Sequence, residues 1–365
     1  MINVTRSFLP PIEDYYDLLK SIWSRNWLTN NGPLVISLEA CLKDYLRIPH
    51  LLYVNNGTIA LQIAIRMLGL KDEIITTPFS YIATTSSIVW EGAIPVFVDI
   101  DPRSLNIDPL QIENAITERT TAILATHVYG NPCDVKKIDQ IAKKYDLKVI
   151  YDGAHAFGTS MGGRSIFEYG DITATSFHAT KLFHTIEGGA VICNDASLRK
   201  DAEYMRNFGQ ETNEAFACIG INGKSSEFHA AMGLLNLHYV DEILASRKRC
   251  SHYYNGKLEE LKAEKIEVHP EADYNHAYYP IIFPHEKALL KAMEALNAQS
   301  IFPRRYFKSS LNELKYVIRQ QAPVSEDISK RVLCLPLYYD ITYDQMDFIC
   351  DILLNVERKK NVSFS

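Results

Sequence analysis

The stretch from residue 147 to residue 193 constrains this chain more than any other. It contains three short apolar runs, at 147–151, 172–177 and 190–193, each bordered by polar or glycine-rich residues. Runs of that length with such borders read as buried strands, because helices that bury an apolar stripe are longer. Asp152 follows the first run directly, Lys181 stands just past the second, and Gly188-Gly189 leads into the third. An acid and a lysine are thereby set at the ends of two strands, the edge where open α/β sheets bind their ligands. The stretch is a candidate site as well as a scaffold.

Upstream, strand and helix patterns alternate. Residues 51–54 read as a strand, followed by Asn55-Asn56-Gly57-Thr58 and a segment whose Leu61, Ile65 and Leu68 recur at helical spacing. Residues 73–77, 94–98 and 121–126 read as further strands, with helices at 82–90, 109–116 and 135–145. Such alternation implies a mostly parallel sheet with right-handed crossovers. Before it, Pro10-Pro11 blocks an early helix, and helices at 12–27 and 34–45 flank the turn Asn30-Asn31-Gly32-Pro33. Beyond Asp195 the pattern loosens. It gives a helix at 196–207, a polar loop at 208–224, and one long helix opening at Ser225-Ser226-Glu227 and reaching past Arg249. Strands at 266–268 and 278–283 and helices at 286–298 and 342–357 complete it, and the tail 359–365 is expected to fray.

At 365 residues the chain exceeds one ordinary core. The expectation is a large α/β domain over 1–240, N-terminal arm included, and a smaller α+β domain over 241–365. A net charge of -6 argues against a nucleic-acid partner. The seven cysteines form no CxxC pair and no His/Cys spacing typical of zinc, so no metal is expected and reduced thiols fit a cytoplasmic protein. The opening MINVTRSFLPPIEDYY lacks the apolar centre of a signal peptide, and no charge-free apolar run reaches the ~20 residues of a membrane span.

Thr58 and Tyr81 fall at the same sheet edge as Asp152 and Lys181. A helix starting at Gly57-Thr58 offers unpaired N–H groups and a positive dipole end to a phosphate. Tyr81, opening a helix after a strand, can lie flat on a ring. Pyridoxal phosphate needs such a set: a lysine amine for its aldehyde, an acid at its pyridine nitrogen, donors for its phosphate, and a flat group over its ring. Lys181 and Asp152 supply the first two, the amine made nucleophilic by partial desolvation and nearby positive charge. His155 is in reach of the ring's phenolic oxygen, and Ser176 of the phosphate. Each residue also has an ordinary structural reading: Thr58 and Asp152 as helix caps, Tyr81 and His155 as core, Lys181 as a solvated group. Spacing alone leaves both open.

The segments NNGTIALQIAI, DEIITTPFSYIATTSSIVWEGAIPVFVDID, YDGAHAFG, SFHATKLFHTIEGGAVICND and GINGKSSEFHAAMG resemble, in this order, the DegT/DnrJ/StrS family of sugar aminotransferases. The similarity runs from FLPP near the start to VLCLPLYYDIT near the end. It implies fold type I, the aspartate-aminotransferase-like α/β architecture with a large, mostly parallel seven-stranded sheet, and pyridoxal phosphate as cofactor. Lys181 in SFHATK matches the family's Schiff-base lysine, Asp152 the pyridinium partner, His155 the residue beside the ring oxygen, and Tyr81 the stacking aromatic. Gly57, Thr58 and Ser176 match phosphate contacts. Asn222 in GINGK matches an asparagine that reaches the phosphate of the neighbouring subunit, which implies a homodimer with shared active sites. The resemblance further implies a nucleotide-linked keto-sugar as amino acceptor and L-glutamate as donor, released as 2-oxoglutarate.

Relatives with His at the lysine position dehydrate their sugar, so Lys181 implies transamination. Lys224 stands where many relatives carry Arg, and a lysine does not reproduce the guanidinium fork, which leaves its part in holding a donor carboxylate open. His229 stands where Gln is common. These variants point within the family to amination at C4 of a dTDP-linked 4-keto-6-deoxyglucose, of use in O-antigen synthesis, with C3 of the 3-keto isomer, or a non-catalytic sensor on the same fold, as the alternatives. For the sugar nucleotide the candidates are His184, Lys224, Arg305 and Tyr306.

Overall fold

A computed structural model describes residues 1–362. The apolar runs form one seven-stranded sheet of β1 (His50–Val54), β2 (Glu73–Thr76), β3 (Ile94–Phe97), β4 (Thr120–Thr126), β5 (Lys148–Asp152), β6 (Ile172–Ser176) and β7 (Gly189–Cys193). Their order is β1-β7-β6-β5-β4-β2-β3. All neighbours are parallel except those of β7, which runs antiparallel to both β1 and β6. Strands covered on both faces need apolar residues at consecutive positions, and Val149, Ile150 and Tyr151 of β5 and all five residues of β7 are buried. The expected mostly parallel sheet is present, and Asp152 and Ser176 are the last residues of their strands.

The helices between these strands follow local signals. In Val135–Tyr145 the buried residues Val135, Ile138, Ile141 and Ala142 make one stripe, Asp134 caps the start by accepting from Lys137 N at 3.1 Å, and Asp146 ends it in the left-handed region. Loss of that cap, Asp134→Ala, costs about 1 kcal/mol. The Ile82–Trp90 helix occupies the expected residues.

Side chains close both margins of the sheet. At β1 the backbone N–H of Tyr53 donates to Glu39 Oε1 at 2.9 Å, and its carbonyl accepts from Arg206 Nη1 at 2.7 Å. Arg206 and Glu39 also pair with each other at 2.7 Å, and both are buried. At β3 the N–H of Phe97 donates to Gln320 Oε1 at 2.7 Å, while Gln320 Nε2 donates to the carbonyl of Pro95 at 3.3 Å.

The C-terminal region carries a three-stranded antiparallel sheet of Glu264–Lys265, Tyr279–Ile282 and Val332–Leu335, packed with the helices Glu286–Ala298 and Tyr343–Val362 over a second apolar core. The helix expected as one piece from Ser225 past Arg249 is two, Glu227–His238 and Val240–Lys257. Tyr239 breaks it: its N–H turns back to the Asn236 carbonyl at 3.1 Å, and its ring packs on Phe8 at 5.0 Å, so a tertiary contact overrides local propensity. The strand expected at 266–268 lies just before, at Glu264–Lys265, because Glu267 N bonds the Arg103 carbonyl at 2.9 Å. The start of Val240–Lys257 packs into the first core through Val240 and Ile243, and its later turns into the second through Cys250 and Tyr254. From the N-terminal arm, Ile2–Asn3 pairs in parallel with Ile301–Phe302. The helix Pro323–Arg331 was not anticipated, because its cap lies far away: Asp99, just past β3, accepts from Val324 N and Ser325 N at 2.8 and 2.9 Å. The expectation of a fraying tail falls partly on residues 363–365, outside the described residues, while the helix runs to Val362.

Candidate active site

The end of β5 carries Asp152 into a buried position. Its Oδ2 accepts from Thr84 Oγ1 at 2.7 Å and its Oδ1 from Ala154 N at 3.1 Å. Behind Thr84 a chain of hydroxyls runs through Ser80, at 2.7 Å, to Thr126, which donates to Ser80 at 3.1 Å. Burial pushes the Asp152 carboxyl above the ordinary aspartate value, while Thr84, the Ala154 amide and Lys181 pull it back toward ionisation.

Lys181 sits in the loop from β6 to β7. That loop folds back on itself through Lys181 N to the His178 carbonyl and Thr185 N to the Phe177 carbonyl. Phe177 and Phe183 anchor it from beneath: Phe183 stacks on Phe157 at 4.4 Å and meets Phe177 edge-on at 5.1 Å. With Leu182 and Phe183 committed to the core, Lys181 is turned to the cavity. Burial lowers its amine to about 8, with Asp152 and Tyr81 opposing the shift. His155 is buried, and Tyr129 N donates to its Nδ1 at 3.1 Å, so the neutral ring carries its proton on Nε2. Burial, and then Lys181, holds it well below the ordinary histidine value.

A third element supplies the opposite wall. Asn56 caps the Gly57–Met67 helix by accepting from Ile59 N at 2.9 Å. The capping role considered for Thr58 thus belongs to Asn56. First-turn amides have no partner within their own helix, and those of Gly57 and Thr58 open beside Ser176. A methyl on Gly57 would meet Ser176 Cβ at 2.7 Å, so the approach requires glycine.

These groups share one cavity of about 350 Å³ with Asn56, Tyr81, His178, Glu187, Tyr278, Tyr306 and Phe307 on its walls. Tyr81, the residue before the Ile82–Trp90 helix, is largely exposed at its mouth. The set fits pyridoxal phosphate: an amine near 8, a buried carboxylate with two donors, a histidine of fixed tautomer, and a glycine-opened helix start beside a hydroxyl for a dianion.

Three of the residues considered for the sugar nucleotide do not line this cavity. His184 is buried with Nε2 2.7 Å from the Phe8 carbonyl and Nδ1 accepting from Ile186 N at 3.2 Å. Arg305 pairs with Glu286 at 2.9 Å and donates to the carbonyls of Ser329 and Lys330. Lys224 Nζ lies 2.7 Å from Asn207 Oδ1 and over the Phe208 ring. Tyr306 does line it. Asn222 is exposed and off the cavity of its own chain, on a segment tied to the phosphate side by Asn55 N to the Gly223 carbonyl at 2.9 Å. Neither Thr84 as a partner of Asp152 nor Tyr278 on the cavity wall is signalled by its neighbours in the sequence. The only trace of the first is the Ser80-to-Thr84 spacing, one turn at a helix start.

The family model of the DegT/DnrJ/EryC1/StrS aminotransferases matches residues 12–354. The chain belongs to that family. It is 40% identical over 364 residues, 98% of this chain and 99% of the relative, to a dTDP-4-amino-4,6-dideoxy-D-glucose transaminase of Shigella dysenteriae. It is 36% identical, over 97% of its length and 98% of the relative's, to a transaminase of the same name from Escherichia coli. The crystal structure of DesI in the presence of its TDP-sugar product superposes with a TM-score of 0.93 at 31% identity, covering 99% of this chain and 94% of that one. Family membership makes the chain an aminotransferase on a nucleotide-sugar scaffold, with the α/β fold of its structural neighbours. Among the described residues no helix is long and apolar enough to cross a membrane.

Proposed function

We propose that this chain is a pyridoxal-phosphate-dependent aminotransferase that moves the amino group of L-glutamate to C4 of dTDP-4-dehydro-6-deoxy-D-glucose. The product is dTDP-4-amino-4,6-dideoxy-D-glucose, a precursor for O-antigen sugars, and the setting is the cytoplasm. The observation that carries the chemistry is the convergence of Lys181, Asp152 and the Gly57 helix start on one cavity. Support for the substrate comes from the 40% identity to the Shigella transaminase across both full chains.

When bound, pyridoxal phosphate supplies an aldehyde that takes up the amino group and a protonated ring that draws electrons from the reacting carbon. Gly57, Thr58 and Ser176 would hold the phosphate, and Tyr81 would cover the ring. Asp152, whose ionised form Thr84 and the Ala154 amide favour against burial, would hold the proton on the ring nitrogen. His155, with its proton on Nε2, would donate to the ring oxygen. Lys181, with its amine near 8, gives up and takes back a proton near neutral pH, as a carrier of the substrate Cα proton must.

The working unit in this proposal is a homodimer. Asn222 is exposed and off its own cavity, and Trp23, Trp27, Leu28, Ile219 and Ile221 expose apolar surface that a second copy would cover. Asn222 completes the phosphate site of the second copy. Incubation with dTDP-4-dehydro-6-deoxyglucose and L-glutamate, followed by NMR location of the amine, tests the assignment. A product aminated at C3 would move the chain to the alternative regiochemistry, and a product without new nitrogen would overturn it.

A further inference from the structure

The N-terminal arm is fixed at its start to the C-terminal region and at its end to the loop that carries Lys181. Ile2–Asn3 pairs with Ile301–Phe302, and the Val4 carbonyl accepts from Leu337 N at 3.1 Å. Residues 5–10 then run without helix or strand. Within them Ser7 Oγ donates to the Ala179 carbonyl at 2.6 Å, and the Phe8 carbonyl lies 2.7 Å from His184 Nε2. Because Nδ1 of His184 accepts from Ile186 N, the neutral ring carries its proton on Nε2 and donates it to Phe8. The Phe8 ring packs on Tyr239 and Tyr339 at 5.0 and 5.1 Å, which seats this part of the arm. The two contacts with the loop stand on either side of Lys181.

The loop needs such support. Ile186 has φ 68, in the left-handed region where a β-branched side chain is an outlier. A backbone of that kind persists where its surroundings over-determine it. The Phe8 carbonyl orients the His184 ring, and that ring accepts from the Ile186 amide. On the other side, the Ala179 carbonyl has Ser7 as its one hydrogen-bond partner among the described residues. Leu182 and Phe183 anchor the middle of the loop in the core, whereas Ala179 and Thr180, directly before Lys181, are not buried. The bonds of Thr180 N and Lys181 N to His178 shape this turn without tying it to another element. Ser7 supplies the tie.

We infer that Ser7 is a positioning residue for Lys181, holding the turn before it so that its amine stands in one place against the cavity. The inference rests on Lys181 as the residue that meets the cofactor aldehyde. Ser7→Ala removes the hydroxyl alone, and Ser7→Thr keeps one. Arg6→Ala, which breaks an exposed ion pair with Asp340, is the control on the same arm. One lost hydrogen bond corresponds to about a fivefold change. In the apoprotein of Ser7→Ala, hydrogen exchange of the amides in 178–186 should quicken about fivefold, while those of β5 and β6 keep their wild-type rates. In the loaded enzyme kcat should fall about fivefold, with the KM values for L-glutamate and the keto-sugar within about twofold of wild type, since Ser7 touches neither substrate. Ser7→Thr should restore both readings, and Arg6→Ala should leave both unchanged. Wild-type exchange in 178–186 of Ser7→Ala would overturn the inference. So would quickened exchange with an unchanged kcat, or equal losses in the alanine and threonine variants. Borohydride reduction of the wild-type protein with pyridoxal phosphate tests the underlying reading separately: cofactor fixed anywhere but Lys181 would sink that reading, whatever Ser7 does, and this inference with it.

Discussion

Thr84 donates from Oγ1 to Oδ2 of Asp152 at 2.7 Å, the last link of a hydroxyl chain from Thr126 through Ser80. A bond to the ionised carboxylate favours that form against the burial that opposes it. Thr84→Val removes the donor and raises the Asp152 pKa. The expected result is a kcat lower by about tenfold, the worth of one hydrogen bond to a charged group, with the acid limb of the pH profile moved to higher pH. An unmoved acid limb would exclude Thr84 from the chemistry.

The Lys181 amine, held at about 8, sets a second expectation. Only the neutral amine attacks an aldehyde. Uptake of pyridoxal phosphate by the apoprotein should therefore accelerate with pH to a half-maximum near 8, not near the 10.5 of a solvated lysine. Stopped-flow absorbance of the lysine-bound cofactor measures it. Between about 8 and 10.5 the unfolded chain keeps a proton on Lys181 that the folded chain lacks, so apoprotein stability rises with pH across that window and is lost as pH falls. Lys181→Met should flatten this slope in urea titrations; an identical slope would mean a solvated amine.

Gly57→Ala tests the phosphate seat. The added methyl meets Cβ and Cα of Ser176 at 2.7 and 3.2 Å, and the end of β6 cannot retreat cheaply. Cofactor affinity should fall about thirtyfold, an overpacking cost of ~2 kcal/mol. Fluorescence titration of the apoprotein reads it, and an unaltered Kd would place the phosphate elsewhere.

Arg305 separates support from binding. Its guanidinium is consumed by Glu286 and two backbone carbonyls. Arg305→Met should lower stability by about 2 kcal/mol through groups left unpaired. Its kcat/KM for the sugar nucleotide should stay within about twofold of wild type. A selective loss of sugar binding would return Arg305 to the site.

The shared-site proposal predicts complementation. Lys181→Ala and Asn222→Ala protomers are each inactive or nearly so alone. Unfolded and refolded together, they should recover roughly a quarter of wild-type sites, since random pairing puts both intact residues at one site of each mixed dimer. No recovery in a verified mixed dimer would confine Asn222 to its own chain.

How far the site could be read in advance depended on where each residue's partners lie. Ile82–Trp90, Val135–Tyr145 and Glu286–Ala298 stand where expected because their signals are local: Asp134 caps its own helix, and His285 accepts from Ala288 N three residues on. Asp152 and Lys181 were legible because one ends a strand pattern and the other closely follows one. Thr84 was not, since its partner is 68 residues away. Nor was the Pro323–Arg331 helix, whose capping carboxylate comes from Asp99. Arg305 looked like a free cation beside a strand, and nothing near it in sequence revealed the carbonyls of Ser329 and Lys330 that occupy it. Tyr239 ended a helix that its neighbours would have continued, because Phe8 waits there.

The side chains that close the large sheet carry a consequence for how copies of the chain meet. Glu39 and Arg206 offer Tyr53 one acceptor and one donor, and Gln320 does the same for Phe97 and Pro95. Each is a stand-in for one residue of a missing neighbour strand. A sheet whose outermost strands are answered at these positions is a poorer template for another chain, the route by which open edges lead to fibres and aggregates. Pairing through the sheet is thus opposed from within, and in the proposed homodimer the exposed Trp23, Trp27 and Ile221 are left as the surface on which two copies would join.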